Sequence, residues 1–545
     1  MTAYSQVMPR TDVADVAVVG AGPVGMTAAA LLGAQGLRVV VLERNATTSD
    51  EPKAISLDDE ALRIYQAAGI VDRILRVIVP GIGTRYYDAH GHPVFQARSP
   101  RPYRLGHPFK NPFAQPDLER ELHAHLSAQP NVEVRMQAEL VGLAQDADGV
   151  EVRHRHTTDG TTGAVRATNV LGCDGGRSPV RTLLGVGMTG RSHAEAWLVA
   201  DVLDDHHDER YGMHHGDPRR PYVIIPGRDG RCRYEFLLHP GEGTPEDDVD
   251  FALVKRLLGP FRTIAREQVE RAVIYRFHGL VADRWRVGRA FLLGDAAHMM
   301  PPFAGQGLNS GIRDAANLCW KIVDVLAGRL TDAALDTYEQ ERRPHAEATV
   351  RLAERLGRIV MTTDPRFAAR RDARLRAALQ DPATRAFYEE MRYRPNHAYR
   401  AGLTVPAPPG GPPAGVLVGQ PRVFDTAGAT IGLLDDVLGP GWALVGVGIT
   451  ADQLGVAATA AARLAPRAVR VAVDDRLPVG PGRLIVDVDG HLDDEFAPYA
   501  GRAVLIRPDR FVAASWTPGD EPDLTTALLL ANQPQPLDAP VLART

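Results

Sequence analysis

A glycine-rich turn near the start of the chain constrains the fold more than any other feature of the sequence. It joins an apolar run over residues 13–19 to a segment over 23–35 whose alanines and leucines recur at helical spacing. A second run, rich in β-branched residues, follows at 38–42. Strand, helix and strand within about thirty residues are typical of the βαβ unit of a parallel sheet. The sequence therefore predicts an α/β fold that begins with this unit.

The turn itself predicts a dinucleotide site, because it matches the pattern GxGxxG. Gly20 permits a tight turn, Gly22 lets the backbone approach a pyrophosphate, and Gly25 allows the helix to pack closely on the strand. The helix N-terminus offers N–H donors and a positive dipole to the phosphates. Glu43 ends the second strand, where its carboxylate can accept hydrogen bonds from ribose hydroxyls. An acid there does not distinguish FAD from NAD, and a turn of purely structural use is the alternative.

Length and composition exclude several classes of protein. A chain of 545 residues is too long for one small core, so at least two domains are expected. The net charge of -5 argues against nucleic acid as a partner. The three cysteines, Cys173, Cys232 and Cys319, are widely spaced and predict neither a disulfide framework nor a metal site. Because no apolar stretch reaches about 18 residues, we expect an unanchored, cytoplasmic protein with no membrane partner.

The pattern changes twice along the rest of the chain. Strand-like runs alternate with polar turns over residues 132–171, which predicts an antiparallel excursion from the first sheet. The next helical segments are at 311–327, at 333–360, and at 365–391 with a break at Pro382. Residues 405–413 then combine five prolines with two glycines, a composition that predicts a linker and a domain boundary. A smaller α/β domain with a terminal hairpin follows.

Two further motifs place an acidic residue and glycines after a strand. Residues 173–181 read Cys-Asp-Gly-Gly-Arg-Ser-Pro-Val-Arg, with Asp174 at a strand-to-helix turn. Residues 294–309 begin with Gly-Asp and end with Gly-Leu-Asn, with Asp295 directly after a strand. An aspartate at a strand end that faces a helix N-terminus can bind polyol hydroxyls, and the glycines leave backbone amides open toward a bound ring. We term these segments the DG motif and the GD motif.

The three motifs in this order resemble those of the FAD-dependent aromatic hydroxylases of the p-hydroxybenzoate hydroxylase type, over about residues 12–395. A more specific likeness is to 3-(3-hydroxyphenyl)propionate hydroxylases. It is carried by residues 55–63, 234–236, 240–242 and 337–343, and by the C-terminal extension.

The resemblance implies a set of cofactor contacts. The glycines face the FAD pyrophosphate, Glu43 binds the adenosine ribose, Asp295 binds the ribityl chain, and backbone amides near Leu308 meet the flavin ring. Lys53 stands where the family more often has Arg, and Asp174 with Arg181 links FAD and pyridine-nucleotide binding unless that turn is structural. The implied cofactor-binding residues are Gly20, Gly22, Gly25, Glu43, Lys53, Gln115, Asp174, Asp295, Leu308 and Asn309.

The resemblance also implies the domain order. We expect a Rossmann-like FAD-binding domain over residues 12–190 and 287–395, with a helical segment, interrupted by a substrate-binding β-sheet domain at 191–286. A linker at 396–413 leads to a thioredoxin-like C-terminal domain at 414–545. No cysteine lies in that last domain, so it cannot carry out thiol chemistry.

The function implied is an NAD(P)H- and O2-dependent hydroxylation of a small phenol through a flavin C4a-hydroperoxide, ortho to an existing hydroxyl. FAD is expected to be non-covalent, and NADH and NADPH are both open as co-substrates. A tailoring hydroxylase of a polyketide phenol, a flavin reductase or dehydrogenase without oxygen transfer, and a flavin-dependent scaffold are alternatives. A homodimer is compatible with the sequence.

Candidate residues for handling the substrate lie in the sheet domain and the GD motif. A Tyr or His in the sheet could accept the phenol proton and an Arg could hold a carboxylate. The sheet candidates are Tyr211, His214, His215, Tyr222 and Arg233, of which Tyr222 and Arg233 are preferred, although each could instead face solvent or serve packing. His298 is the third catalytic candidate, with a structural role as its alternative.

Overall fold

The computed structural model describes residues 12–50, 53–81, 83–98, 101–405, 411–462, 469–473 and 483–524. The chain forms two compact units. The first comprises Met1–Cys319 and Ala346–Pro395, and the second comprises Trp320–His345 and Asn396–Thr545. The second unit thus includes Trp320–His345, a segment that the sequence analysis assigns to the FAD-binding domain. Across the described ranges no helix combines the length and apolar character needed to cross a membrane.

The described strands fall into three large sheets and one short ladder. In chain order they are β1 (Asp12–Val19), β2 (Val39–Leu42), β3 (Ser56–Leu57), β4 (Thr84–Tyr87), β5 (Pro93–Ala97), β6 (Asn111–Pro112), β7 (Val132–Arg135), β8 (Ala138–Gln145), β9 (Val150–His156), β10 (Thr162–Gly172), β11 (Met188–Val202), β12 (Gly212–His215), β13 (Tyr222–Pro226), β14 (Cys232–Leu237), β15 (Val269–Ala282), β16 (Arg286–Val287), β17 (Ala290–Leu292), β18 (His298–Met299), β19 (Arg422–Asp425), β20 (Thr430–Leu433), β21 (Ala443–Val447), β22 (Val469–Val473), β23 (Arg483–Asp487), β24 (Arg502–Ile506) and β25 (Val512–Trp516).

The α-helices of the described chain confirm the predicted helical segments, including the break before Pro382. In chain order they are α1 (Pro23–Ala34), α2 (Asp59–Ala67), α3 (Val71–Leu75), α4 (Gln115–Ser127), α5 (Pro179–Leu183), α6 (Phe251–Leu258), α7 (Gly307–Leu326), α8 (Thr337–Val360), α9 (Pro365–Ala378), α10 (Pro382–Glu389), α11 (Leu434–Leu438), α12 (Ala451–Ala461) and α13 (His491–Phe496).

The first sheet has the order β16-β17-β10-β1-β2-β7, with β8 and β9 attached at β10. The strands β17, β10, β1, β2 and β7 run parallel, and α1 connects β1 to β2. All four residues of β2 are buried, as expected for a parallel strand covered on both faces. The predicted βαβ unit is confirmed. Because parallel strands end at the same edge of a sheet, the turns after β1, β2 and β17 open on one side.

The second sheet of the first unit has the order β18-β15-β11-β14-β13-β12-β4-β5 and is mainly antiparallel. Successive side chains along its strands point to opposite faces. Tyr234 and Phe236 of β14 belong to a buried cluster with residues of α6. Leu237, from the alternate set, packs with Trp197 and Phe303. We call the face that carries Trp197 and Leu237 the inner face.

The second unit is built on a sheet of order β20-β19-β23-β22-β21-β24-β25. Its centre consists of three parallel strands, β21, β22 and β23, and the hairpin of β24 and β25 joins β21 in antiparallel orientation. The smaller α/β domain and the terminal hairpin that the sequence predicts are confirmed. Residues 525–545 lie outside the described residues.

A buried charge network lies in the core of the second unit. Glu341 accepts hydrogen bonds from Lys321 Nζ at 2.7 Å and from two nitrogens of Arg507 at 2.8 Å, and Arg507 also contacts Asp509. The side chains of Lys321, Glu341 and Arg507 are fully buried. Burial by itself raises the pKa of Glu341, but Arg507 and Lys321 outweigh it and lower the pKa from 4.5 to about 2. The stabilisation is therefore complete above pH 4.5 and lost as the pH falls towards 2.

We predict that Glu341→Gln destabilises the second unit, because it leaves two buried cations with one remaining carboxylate. Removing one partner of a buried pair costs about 3 to 5 kcal/mol. Urea unfolding of the full chain, followed by tryptophan fluorescence, measures the loss. The matched control on the same helix is Glu339→Gln, which removes a half-exposed pair with Arg343 and should cost about 1 kcal/mol or less. Equal losses in the two variants would contradict the prediction.

Candidate functional site

The glycine turn after β1 has the geometry that a bound pyrophosphate requires. Gly20 has a φ of +102°, and a Cβ there would lie 2.5 Å from the carbonyl oxygen of Cys173. A Cβ on Gly25 would overlap the Gly20 carbonyl oxygen, whereas a Cβ on Gly22 would meet no atom within 4 Å. Gly20 and Gly25 therefore allow close packing of the turn against protein. The space beside Gly22, at the N-terminus of α1, is the space that a phosphate would use.

Glu43 lies directly beside this turn. Its Oε2 accepts a hydrogen bond from the backbone N–H of Ala21 at 2.9 Å, and its Oε1 accepts one from Asn45 at the same distance. The carboxylate thus lies between the phosphate turn and the loop after β2. This is the position in which an acid can bind ribose hydroxyls of a dinucleotide.

Gln115 acts on the segment that carries Lys53. Its Oε1 accepts from the backbone N–H of Ala54 at 2.8 Å, and its Nε2 donates to Glu119 at 2.7 Å. Glu119 in turn accepts from the N–H of Ser49 at 2.8 Å, and burial raises the pKa of its carboxyl. The pair therefore holds both ends of the segment between Ser49 and Ala54. Lys53 is exposed on it.

The DG motif is a tightly bonded turn. Asp174 accepts from Ser178 Oγ at 2.5 Å and from the N–H of Val180 at 2.8 Å, at the start of α5. Burial raises the pKa of Asp174. Arg181 donates to the carbonyl oxygens of Gly176 at 2.7 Å and Ala296 at 3.0 Å. Both motif side chains therefore bind backbone, and Arg181 ties the DG turn to the GD motif.

The GD motif leaves the side chain of its aspartate accessible. Asp295 has an exposed side chain, yet the surrounding protein raises its pKa, against the opposing influence of His298 and Lys53. The N–H of Gly294 donates to Asp314 at 3.0 Å, which anchors the turn from below. An accessible carboxylate walled by protein is suited to accept hydrogen bonds from a polyol such as a ribityl chain.

The N-terminus of α7 completes this edge of the sheet. The first helical hydrogen bond runs from Ser310 to Gln306 at 2.8 Å, so the preceding amides, including those of Leu308 and Asn309, point out of the helix end. The Asn309 side chain accepts from the N–H of Asp58 at 3.0 Å and donates to the Ser56 carbonyl at 3.1 Å. Asn309 thereby joins the helix to β3.

The substrate candidates of the second sheet divide between its two faces. In the strand register Tyr222 pairs with Phe236, and its ring centroid lies 5.1 Å from that of Phe261, on the face covered by α6. Arg233 pairs with Ile225, which is an odd number of residues from Tyr222 along β13. Ile225 and Arg233 therefore point away from the face of Tyr222, to the inner face. Tyr222 and Arg233 therefore do not lie together. Tyr211 and His215 share the face of Tyr222, since His215 stacks on it at 4.2 Å and Tyr211 packs in the same cluster.

Arg233 already has a carboxylate partner. It donates through Nε and Nη2 to Asp201 at 2.7 and 3.0 Å, and through Nη1 to the carbonyl oxygen of Lys53 at 2.7 Å. Its neighbour on the inner face, Glu235, is buried and has its pKa raised by burial. The inner face thus meets the Lys53 segment through Arg233, and it meets the GD motif through the contact of Trp197 with Phe303, whose rings lie 5.7 Å apart.

Sequence reasoning missed several polar groups near the GD motif. Arg313 bonds Asp58, Glu60 at 2.6 Å and Gln306 at 3.0 Å. Lys110 lies 3.4 Å from where a Cβ on Gly305 would be. Asp58 and Glu60 lie inside the segment 55–63 that carries the family resemblance, so the sequence contained a signal for these two residues. Arg313 and Lys110 belong to no motif, and only the fold brings them to this place.

These elements together define an elongated site along the carboxyl edge of the first sheet. The α1 N-terminus and Glu43 fit a pyrophosphate and a ribose, Asp295 fits a polyol, and the α7 N-terminus fits the electron-rich end of a ring system. That order of groups is the order of an extended FAD molecule. The fold and site therefore define an FAD-binding protein.

Comparison with known proteins also indicates an FAD-binding protein. The model of the FAD binding domain family matches residues 13–353, and that of the HcaD C-terminal domain matches 415–531. The 3-(3-hydroxy-phenyl)propionate/3-hydroxycinnamic acid hydroxylase of Mycobacterium sp. (strain KMS) is 40% identical over 94% of this chain and 90% of its own. The Burkholderia vietnamiensis (strain G4 / LMG 22486) hydroxylase 2 of the same name is 37% identical over 92% and 93%. The flavin-dependent monooxygenase PieE, solved with FAD and substrate, is 24% identical and has the same fold, with a TM-score of 0.79 over 96% of this chain and 100% of its own.

The chain belongs to the FAD-dependent aromatic hydroxylases. It is a flavin monooxygenase of aromatic compounds.

We predict that His298 stabilises the GD motif and does not take part in the chemistry. Its ring is fully buried, and its Nε2 lies 2.7 Å from Oδ2 of Asp314, the oxygen that also accepts from Gly294. His298→Ala should lower stability by about 1 to 3 kcal/mol, because a buried carboxylate loses one of its hydrogen-bond partners. Thermal unfolding measures this, with the exposed His90→Ala as the control. A hydroxylation rate per bound FAD reduced about 100-fold or more, with stability unchanged, would show a catalytic role instead.

Proposed function

We propose that this protein hydroxylates a small phenol ortho to its existing hydroxyl group, with NADH or NADPH as reductant, O2 as oxidant and non-covalent FAD as cofactor. The observation that carries the proposal is the double contact of the inner face. Arg233 bonds the Lys53 segment, and Trp197 contacts Phe303 of the GD motif. A substrate against this face would therefore adjoin the flavin. The 3-(3-hydroxy-phenyl)propionate/3-hydroxycinnamic acid hydroxylases, 40% identical over 94% of the chain, support a meta-substituted phenol.

The proposed reaction balances as follows. The phenol, O2, NAD(P)H and one proton give the catechol, water and NAD(P)+. One oxygen atom of O2 becomes the hydroxyl group that replaces a hydrogen on a ring carbon, and the other leaves as water. Bound FAD supplies the transfer of two electrons from the reductant and the activation of oxygen. The ring carbon ortho to the hydroxyl is an electron-rich position, because the oxygen lone pair donates into it.

The residues of the chain bind, orient and exclude water. We assign Gly22 and the α1 N-terminus to the pyrophosphate, Glu43 to the adenosine ribose, Asp295 to the ribityl hydroxyls, and the Leu308 and Asn309 amides to the flavin ring. Apolar walls around the inner face keep water from the reacting atoms and strengthen each polar contact there.

The remaining site candidates have different roles in the proposal. We assign Lys53 and Gln115 to the segment that borders FAD, with Gln115 holding its backbone. Asp174 shapes the DG turn. Arg233, which is bonded to Asp201, positions the Lys53 segment. Tyr222 lies on the opposite face, so in this proposal it packs beside α6 and does not contact a substrate on the inner face.

We further propose that the second unit is thioredoxin-like. The supporting features are the parallel unit of β21, α12 and β22 and the antiparallel hairpin of β24 and β25 beside β21. All three cysteines of the chain lie in the first unit, so this domain serves no thiol chemistry. They are buried and unbridged, which supports a reducing compartment, the cytoplasm.

Activity measurements with a panel of phenols, both single-ring and fused-ring, test the proposed reaction. Oxygen uptake and NAD(P)H oxidation should rise when 3-(3-hydroxyphenyl)propionate is added, and the product should gain the mass of one oxygen atom. Flavin reduction should also be faster with the phenol than without it. NAD(P)H oxidation that yields no hydroxylated product would indicate a reductase, and hydroxylation of fused-ring phenols alone would indicate a tailoring enzyme.

We predict that Asp295→Ala weakens FAD binding while the fold persists. Each lost hydrogen bond from a ribityl hydroxyl to this carboxylate is worth about 1 to 3 kcal/mol, so the dissociation constant should rise about tenfold or more. Titration of apoprotein with FAD, followed by flavin fluorescence, measures the constant. Asp148→Ala, on an exposed loop of the same unit, is the control. An unchanged dissociation constant in Asp295→Ala would contradict our placement of the ribityl chain.

A further inference from the structure

The backbone around Lys110 is anchored beside the GD motif. Lys110 directly precedes β6, which pairs with β3, and its backbone has a φ of +61°. The next residue, Asn111, is fully buried and donates to the carbonyl oxygens of Leu57 at 3.2 Å and Pro108 at 2.7 Å. The Nζ atom of Lys110 lies 3.4 Å from where a Cβ on Gly305 would be. The ammonium therefore lies against the loop that leads into the α7 N-terminus.

The Lys110 ammonium has no hydrogen-bond or ion-pair partner within the part of the chain that the structure describes. It is half-buried. Burial, and then the charge of Arg394, lower its pKa to about 8, and Asp58 acts in the opposite direction. The Asp58 carboxylate is already bonded to Arg313 and to the N–H of Ala61. A partly desolvated cation without a partner is unfavourable, unless a ligand supplies the missing anion.

The same ammonium also faces the substrate sheet. Phe109, the residue before Lys110, packs in one buried cluster with Tyr86, so Lys110 adjoins the part of the sheet that carries His214. Burial and then Lys110 lower the pKa of His214 to about 3, so His214 is neutral. His214 alternates along β12 with Met213, which packs in the cluster beside α6, so His214 belongs to the inner face. Its ring stacks on Tyr86 at 5.1 Å. Lys110 therefore lies between the GD motif and the inner face, where the proposed function places the aromatic substrate.

The residue type at this position is also informative. The chain has only four lysines among its 62 basic residues, at positions 53, 110, 255 and 321. Nearly all other positive charge is carried by arginine, which is a wide planar fork. An ammonium is a compact point charge that fits beside Gly305 and can approach a single oxygen atom.

We propose that the Lys110 ammonium binds an anionic oxygen of the aromatic substrate, which is either a side-chain carboxylate or the phenolate oxygen. The inference rests on the proposed function and extends it by naming the group that recognises the substrate. Charge-assisted hydrogen bonds of this kind are short and strong. A phenol that bears a carboxylate would therefore gain more binding free energy from the Lys110 ammonium than a neutral phenol. The neutral His214 beside Lys110 adds a hydrogen-bonding group without competing for the anion.

The test measures binding to the oxidised holoenzyme, without turnover. The probes are 3-(3-hydroxyphenyl)propionate and its neutral analogue 3-(3-hydroxyphenyl)propan-1-ol, and the signal is the change in flavin absorbance on titration. The variant is Lys110→Met, which keeps the length of the side chain and removes its charge. The matched control is Lys255→Met, an exposed lysine of α6. FAD content and thermal unfolding are measured for each protein, and both should equal those of the wild type.

If the anion is the carboxylate, Lys110→Met should weaken binding of the acid about ten- to a hundredfold and change binding of the alcohol about twofold or less. If the anion is the phenolate, Lys110→Met should weaken binding of both probes alike. The phenolate band in the ultraviolet difference spectrum of the bound wild type should then be absent from the variant. Unchanged affinities for both probes overturn the inference, as does a parallel loss without a phenolate band in the wild type.

The same measurements separate this inference from the proposed function. A wild type that binds and hydroxylates the acid while Lys110→Met binds it equally well overturns the role of Lys110 alone. A wild type that binds neither probe overturns the proposed substrate class, and the role of Lys110 falls with it.

Discussion

The close approach of α1 to the ends of β1 and β10 is the constraint on which the rest of the site depends. It requires Gly20 and Gly25, because a Cβ at either position would overlap neighbouring backbone. The approach aims the helix N-terminus at the carboxyl edge of the sheet and brings the turn against Cys173, where the DG motif begins. Arg181 of that motif then bonds Ala296, so the position of the GD motif follows from the same contact.

Much of the polar chemistry near the site supports backbone and does not face a ligand directly. Gln115 holds Ala54, Arg233 holds Lys53, and Asn309 holds β3 against α7. Such bonds fix the segments that border the cofactor to within small displacements, which binding and catalysis both require. Substitution of these residues should therefore act through the geometry of the site. By contrast, the carboxylate of Asp295 is accessible and the ammonium of Lys110 has no partner in the described chain.

The second sheet carries different side chains on its two faces. Its outer face carries Tyr222 and Tyr234 into an apolar cluster with α6, and its inner face carries Arg233, Glu235 and Trp197. The alternation of side chains along a strand assigns neighbouring residues to different faces. Tyr222 and Arg233 looked equivalent as polar residues of one sheet, but the register places them on opposite sides of it.

The sequence by itself determined the βαβ unit, the glycine turn, the three motifs and the helices that follow, because each depends on local spacing and on residues adjacent in the chain. It also determined the family, through motifs whose order is specific. Tertiary structure alone decided which polar side chains meet the site. Lys110 and Gly305 are far apart in sequence, and no local pattern marks them as neighbours. They come together because β6 pairs with β3 and because Asn309 bonds β3, and such non-local pairings leave no periodic signal in the chain.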